Sequence, residues 1–190
     1  MTRLGEGLSQ LPVDVESWKG LLIDAFRLAR EAIEAEATVR DVSVQDLATT
    51  LILLVATPEL VAGAQVGDGA IVVGDGQGDM IALTTPQHGE HINETIFLTS
   101  SDALDTVQVR VRRTTSAQIA MFSDGLEMLS LEMPAGTPHR PFFLPLFRFA
   151  TEMADEKEAT QQLESFLTSS RMTDRSDDDL TLLLATRTRS

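Results

Sequence analysis

Apolar residues at Val15, Trp18, Leu21, Leu22, Ala25, Phe26, Ala29 and Ile33 recur every three or four positions, and from Thr50 onward that rhythm gives way to short apolar runs broken by turns. This change of period restricts the fold more than any other feature of the chain. A repeat near 3.6 predicts an amphipathic helix of about six turns laid on a core. Glu16, Lys19, Asp24, Arg27, Arg30, Glu31 and Glu34 fill its polar face, and Asp14 is placed to cap its N-terminus.

The following segment reads as strands. Thr50 to Ala56 is almost wholly apolar, which predicts a strand buried on both faces. Thr57-Pro58-Glu59 reverses the chain. Val61 to Val66 and Ala70 to Val73 are strand-like and are separated by Gly67-Asp68-Gly69. Asp75-Gly76-Gln77-Gly78-Asp79 is a hairpin signal leading to Met80–Leu83. A short strand is expected at Ile96–Thr99, a half-exposed one over Val107, Val109 and Val111, and a buried one from Ile119 to Phe122. Phe142, Phe143, Leu146, Phe147 and Phe149 then predict the apolar face of a helix, and Lys157 to Ser169 predicts another. The last strand is expected at Leu180–Ala185.

Strands cluster and helices cluster, without the regular strand–helix alternation of a parallel sheet. That order predicts the α+β class, with antiparallel sheets in a sandwich flanked by helices. One domain over residues 1–190 is expected, with residues 1–13 as a loose leading segment.

Composition narrows the partners. The formal net charge of −14 opposes nucleic acid and anionic membrane surfaces as main partners. No apolar run reaches the roughly 20 residues of a membrane helix, and no charged-then-apolar signal segment opens the chain, so a cytoplasmic location is expected. The absence of cysteine excludes disulfides, thiol catalysis and thiolate-bound zinc. His88 and His91 stand in a loop containing Gly and Pro and read as ordinary loop residues.

The candidate chemistry lies in carboxylates at strand ends. Asp124 follows the strand Ile119–Phe122 and precedes Gly125, which gives the backbone room to turn. Asp177, Asp178 and Asp179 open the last apolar strand. If these two strands pair antiparallel, the end of one lies beside the start of the other, and the acids converge. Converging carboxylates suit a hard divalent cation such as Mg²⁺ or Mn²⁺. The competing reading is an Asx turn at Asp124 and a solvated, capped loop at Asp177–Asp179.

The segments "MFSDGLEM" and "RSDDDLTLLLA" resemble late motifs of the metal-dependent serine/threonine protein phosphatases of type 2C, the PPM family. "DLATTLILLVATPELVAGAQVGDGAIVV" is similar to that family's middle strands, with Gly67-Asp68-Gly69 at its Gly-Asp turn. The likeness runs from about residue 14 to 186 in the family's order, and the compactness of the chain resembles the family's bacterial style. It implies an α-β-β-α sandwich with a two-metal centre at one end of the sheets. It also implies hydrolysis of phosphoserine or phosphothreonine in a protein substrate by a metal-activated water.

Carried over by the resemblance, Asp124 and Asp178 are metal ligands. Asp179 stands where the family usually has Asn and either orients a ligand or binds through water. Thr181 satisfies backbone groups at the strand start, and Asp68 is a turn residue. The resemblance lacks the family's opening strand and the Asp-Gly-x-Gly segment whose aspartate bridges both metals, so an N-terminally incomplete fold is expected. Glu6 is the only early acid, and Asp75-Gly76-Gln77-Gly78 matches that motif in letters but lies in a later hairpin. Without the bridging aspartate the remaining acids hold at most one metal well, and activity then depends on ligands supplied from elsewhere. Three readings stay open: a piece of a phosphatase, a non-catalytic binding or regulatory module, or a chain completed by a partner through exposed sheet edges.

Overall fold

A computed structural model describes residues 12, 14–87, 95–114 and 118–187. In chain order its elements are α1 (Val15–Arg40), β1 (Leu51–Ala56), β2 (Leu60–Val66), β3 (Ala70–Gly74), β4 (Met80–Thr84), α2 (Ala103–Thr106), β5 (Gln108–Arg113) and β6 (Gln118–Phe122). They continue with α3 (Glu127–Ser130), β7 (Leu131–Glu132), β8 (Thr137–Pro138), α4 (Arg140–Glu152), α5 (Glu156–Leu167), α6 (Ser170–Thr173) and β9 (Leu182–Thr186). All strand pairs are antiparallel, and the chain belongs to the α+β class. Its contacts divide it into two compact units, residues 1–67 with 87–113 and residues 68–86 with 114–190.

The first unit packs one helix against a three-stranded sheet of order β1-β2-β5. Asp14 caps α1 as expected, accepting from the Ser17 N–H at 2.9 Å and from its hydroxyl at 2.7 Å. Trp18, Leu22 and Phe26, one turn apart, are buried against Leu60, Ala62, Ala64 and Val66, the alternate residues of β2. Small alanines on the strand let the large helical side chains approach closely. Leu51, Leu53 and Val55 of β1 and Val109 and Val111 of β5 extend the same face.

Two expectations are corrected here. β1 is an edge strand with half-buried residues, not a strand covered on both sides; the fully buried strand is its neighbour β2. An all-apolar run records affinity for both faces but not whether a further strand flanks it. Ile96–Thr99 forms a turn instead of a strand, with Leu98 buried and its N–H bonded to the Thr49 carbonyl at 2.8 Å.

The second unit is built on a four-stranded sheet of order β4-β3-β6-β9. Ala70 and Val72 of β3 and Ala120 and Phe122 of β6 bury one face against Phe143 and Phe147 of α4. The Phe143 ring lies 5.9 Å from Phe122, 5.1 Å from Phe142 and 5.8 Å from Phe147, distances at which aromatic pairs add to the area they bury. Helices α4 and α5 match the expected helices closely. The last strand starts two residues later than expected, at Leu182, and lies at the sheet edge, with Leu182 and Leu184 against the core and Leu183 49% exposed. The β7–β8 hairpin was not legible as strands, because its two-residue arms are too short to show alternation.

Among the described residues no helix is long and apolar enough to cross a membrane. Residues 1–11 and 13, His88, His91 and Glu6 lie outside the described residues.

Candidate metal centre

The register of the four-stranded sheet fixes where its acids fall. Phe122, the last residue of β6, pairs with Ala70 at the start of β3 and with Leu182 at the start of β9. Two residues beyond Phe122 stands Asp124; two before Ala70 stands Asp68; the Asp177–Asp179 run precedes Leu182. Antiparallel pairing therefore brings three separated acidic stretches to one end of one sheet. The expected convergence of Asp124 with Asp178 rests on this pairing.

The junction is closed by backbone and by one hydroxyl. Ser123 N–H donates to the Thr181 carbonyl at 3.2 Å, continuing the ladder past β9. The Ser123 hydroxyl donates to the Asp179 carbonyl at 3.2 Å and accepts from the Thr181 N–H at 3.1 Å. The backbone service assigned to Thr181 is thus performed by Ser123. Asp124 then opens a single 3-10 turn, Asp124–Leu126, held by the Leu126 N–H to the Ser123 carbonyl at 3.1 Å.

Gly125 is buried beneath the incoming chain. A Cβ there would stand 2.8 Å from the Asp179 carbonyl oxygen, 2.9 Å from Leu180 Cδ2 and 3.3 Å from Asp178 Cβ. Only a glycine lets the Asp178–Leu180 backbone cross so near Asp124. The same contact shows that the Asp178 side chain roots directly beside the turn that carries Asp124.

Electrostatics agree with this placement. The Asp124 carboxyl is raised above its ordinary value, first by partial loss of water, then by the negative charge of Asp68, with Asp178 adding to the same effect. The Gly125 backbone N–H opposes the rise by bonding the charged form. Asp124 is nonetheless an exposed residue, open to a ligand from solvent.

Asp68 lies in the bend between β2 and β3, as the turn reading expects, and its charge also acts on Asp124, more strongly than that of Asp178. Asp179 is joined to the centre through its main-chain carbonyl, and Asp177 is exposed.

The donor set is all oxygen and all anionic, the chemistry of Mg²⁺ or Mn²⁺. Among the described residues no three His, Asp or Glu side chains stand close enough together to hold an ion as placed.

Known proteins agree with this architecture. A family model for protein phosphatase 2C matches residues 5–168. Serine/threonine-protein phosphatase 3 of Escherichia coli (strain K12) is 35% identical over 158 residues, 82% of this chain and 62% of that enzyme. The chain thus spans less than two thirds of that relative's length. Among solved structures, the serine/threonine phosphatase Stp1 of Staphylococcus aureus superposes with a TM-score of 0.60 at 13% identity, covering 95% of this chain and 72% of that one. PppA of Pseudomonas aeruginosa gives 0.59 at 17% identity, covering 95% and 75%. These two likenesses concern the fold; the family model, spanning both units, and the Escherichia coli relative establish membership. The chain belongs to the protein phosphatase 2C family.

Proposed function

We propose that this protein is a metal-dependent serine/threonine phosphatase domain, spanning both units of the chain, that removes phosphate from phosphoprotein substrates. The observation that carries the reading is the meeting of the Asp124 turn with the Asp178–Leu180 segment at one sheet end. Asp124 and Asp178 hold a Mg²⁺ or Mn²⁺ ion, Asp68 adds charge beside them, and Asp179 contributes through water and through its carbonyl to Ser123. Bound there, such an ion supplies positive charge to phosphoryl oxygens and lowers the pKa of a water. The protein's part is to hold the Asp178–Thr181 segment against the turn that carries Asp124, which the Ser123 bonds and the Gly125 contact accomplish.

A bacterial, cytoplasmic setting is part of this proposal, supported by the cysteine-free acidic composition and the Escherichia coli relative. The open edge at β9, with Leu183 half exposed, supports association with a further strand.

The test is turnover of p-nitrophenyl phosphate and of a phosphothreonine peptide by the full chain in millimolar Mn²⁺, with calorimetric Mn²⁺ titration alongside. Turnover lost by about 100-fold or more in Asp124→Ala and Asp178→Ala supports the enzyme. Mn²⁺ binding without turnover turns the reading into a non-catalytic binding module, and the absence of both overturns it.

A further inference from the structure

We propose that a groove on the second unit, between α4, α5 and α6, binds a small amphipathic carboxylate: an apolar body carrying one negative charge. The groove has a volume of about 470 Å³. That is the scale of small-molecule sites, about 300–1,000 Å³. Its walls are Pro145, Leu146 and Phe149 of α4 facing Leu163 and Phe166 of α5. Helix α5 has no fully buried residue, so its apolar face is spent partly on the core and partly on this space.

Two features point to a ligand. Arg171, on α6, borders the groove and has no hydrogen-bond or ion-pair partner among the described residues. The other polar lining residue, Gln162, already gives its amide to Glu158 at 3.0 Å. A free guanidinium beside apolar walls selects an anion with an apolar body by local pairing. The second feature is Pro145, inside α4 with its ring in the groove. A proline in a helix interior removes a backbone hydrogen bond, and such local violations concentrate at functional sites. Nothing in the packing of the core requires it, since the buried residues of α4 are Phe143, Leu146 and Phe147.

This proposal does not rest on phosphatase activity, and its readout is ligand binding. Decanoate, decanol and decyltrimethylammonium are titrated into the full chain by calorimetry, with Arg171→Gln and the groove-filling Leu163→Trp as variants. Arg171 is exposed, so its substitution leaves the fold intact. Saturable decanoate binding is expected, weaker by about tenfold or more for decanol and for Arg171→Gln, the factor a charge-assisted hydrogen bond carries. Leu163→Trp abolishes it. No saturable decanoate binding, equal affinity for decanol, or unchanged affinity in Arg171→Gln overturns the proposal.

Discussion

The Ser123 hydroxyl stands between two main-chain groups of the segment that leads into β9, donating to the Asp179 carbonyl at 3.2 Å and accepting from the Thr181 N–H at 3.1 Å. One side chain thereby fixes the separation between the turn that carries Asp124 and the run that carries Asp178. Ser123→Ala removes both bonds and leaves the Thr181 N–H without its partner. At about 1 kcal/mol for the pair in a half-exposed setting, the melting temperature falls by roughly 2–4 °C. Ser123→Thr keeps the oxygen and stays near wild type. The more telling measurement is Mn²⁺ affinity by calorimetry: Ala weakens it and Thr restores it. Unchanged affinity in Ser123→Ala would show that this joint does not position the acids.

Asp124→Asn separates stability from function. In metal-free protein the charged carboxylate is opposed by loss of water and by Asp68 and Asp178. Replacing it with a neutral isostere in EDTA raises the melting temperature, by roughly 1–3 °C for an exposed site in a chain of this size. Wild type gains about 2.7 kcal/mol when free Mn²⁺ reaches 100 times its dissociation constant. The variant gains little or nothing. Thermal scans with and without Mn²⁺ should therefore cross, with the variant more stable without metal and less stable with it.

How much of this was legible before the structure depends on what each residue had to declare. The α1 stripe of Trp18, Leu22 and Phe26 and its Asp14 cap were readable because they are local. The antiparallel pairing of the Ile119–Phe122 strand with the last strand stood as a condition, and the structure supplies it. Edge against centre was not readable: β1 and β9 are apolar runs that happen to lie at sheet borders, and strand order is a property of the whole chain. The effect of the turn residue Asp68 on Asp124 was not readable, because it arises from the β3–β6 register, more than 50 residues apart in sequence. Ser123 passed as part of a motif because its two partners lie across the same long gap.

The raised Asp124 carboxyl also gives a pH dependence with a definite sign. The folded protein keeps this proton to higher pH than the unfolded chain does. Between about pH 4, the ordinary aspartate value, and the raised folded value, the folded state holds more protons, and stability falls as pH rises. The residue's contribution is therefore unfavourable at neutral pH and is relieved on acidification through that window. The melting-temperature advantage of Asp124→Asn without metal should grow as pH rises through it and then level off. Protons also compete with the cation, so Mn²⁺ affinity should begin to decline at a less acidic pH than for an unperturbed aspartate. Paired scans from pH 3.5 to 7.5, with a Mn²⁺ titration at each point, check both; an advantage independent of pH would assign the Asn effect to packing.

Two glycine-to-alanine substitutions should move stability in opposite directions. Gly20 lies inside α1 on its exposed side, and a Cβ there meets nothing within 4 Å. Alanine removes freedom from the unfolded chain and favours the helix, a gain of about 0.5–1 kcal/mol. Gly125 would have the same entropic gain, but its added Cβ would stand 2.8 Å from the Asp179 carbonyl oxygen and 2.9 Å from Leu180 Cδ2. The Leu180 side chain can rotate away; the Asp179 carbonyl is main chain, held by the Ser123 hydroxyl, and cannot yield without opening the strand junction. Overpacking of this kind costs about 1–3 kcal/mol, which outweighs the entropic gain. Gly125→Ala should therefore lower the urea midpoint while Gly20→Ala raises it. Because the displaced segment carries Asp178, Gly125→Ala should also weaken Mn²⁺ binding, whereas Gly20→Ala, on the first unit, leaves it unchanged. A Gly125→Ala protein with wild-type stability and wild-type Mn²⁺ affinity would mean that Asp178 does not depend on the close crossing over residue 125.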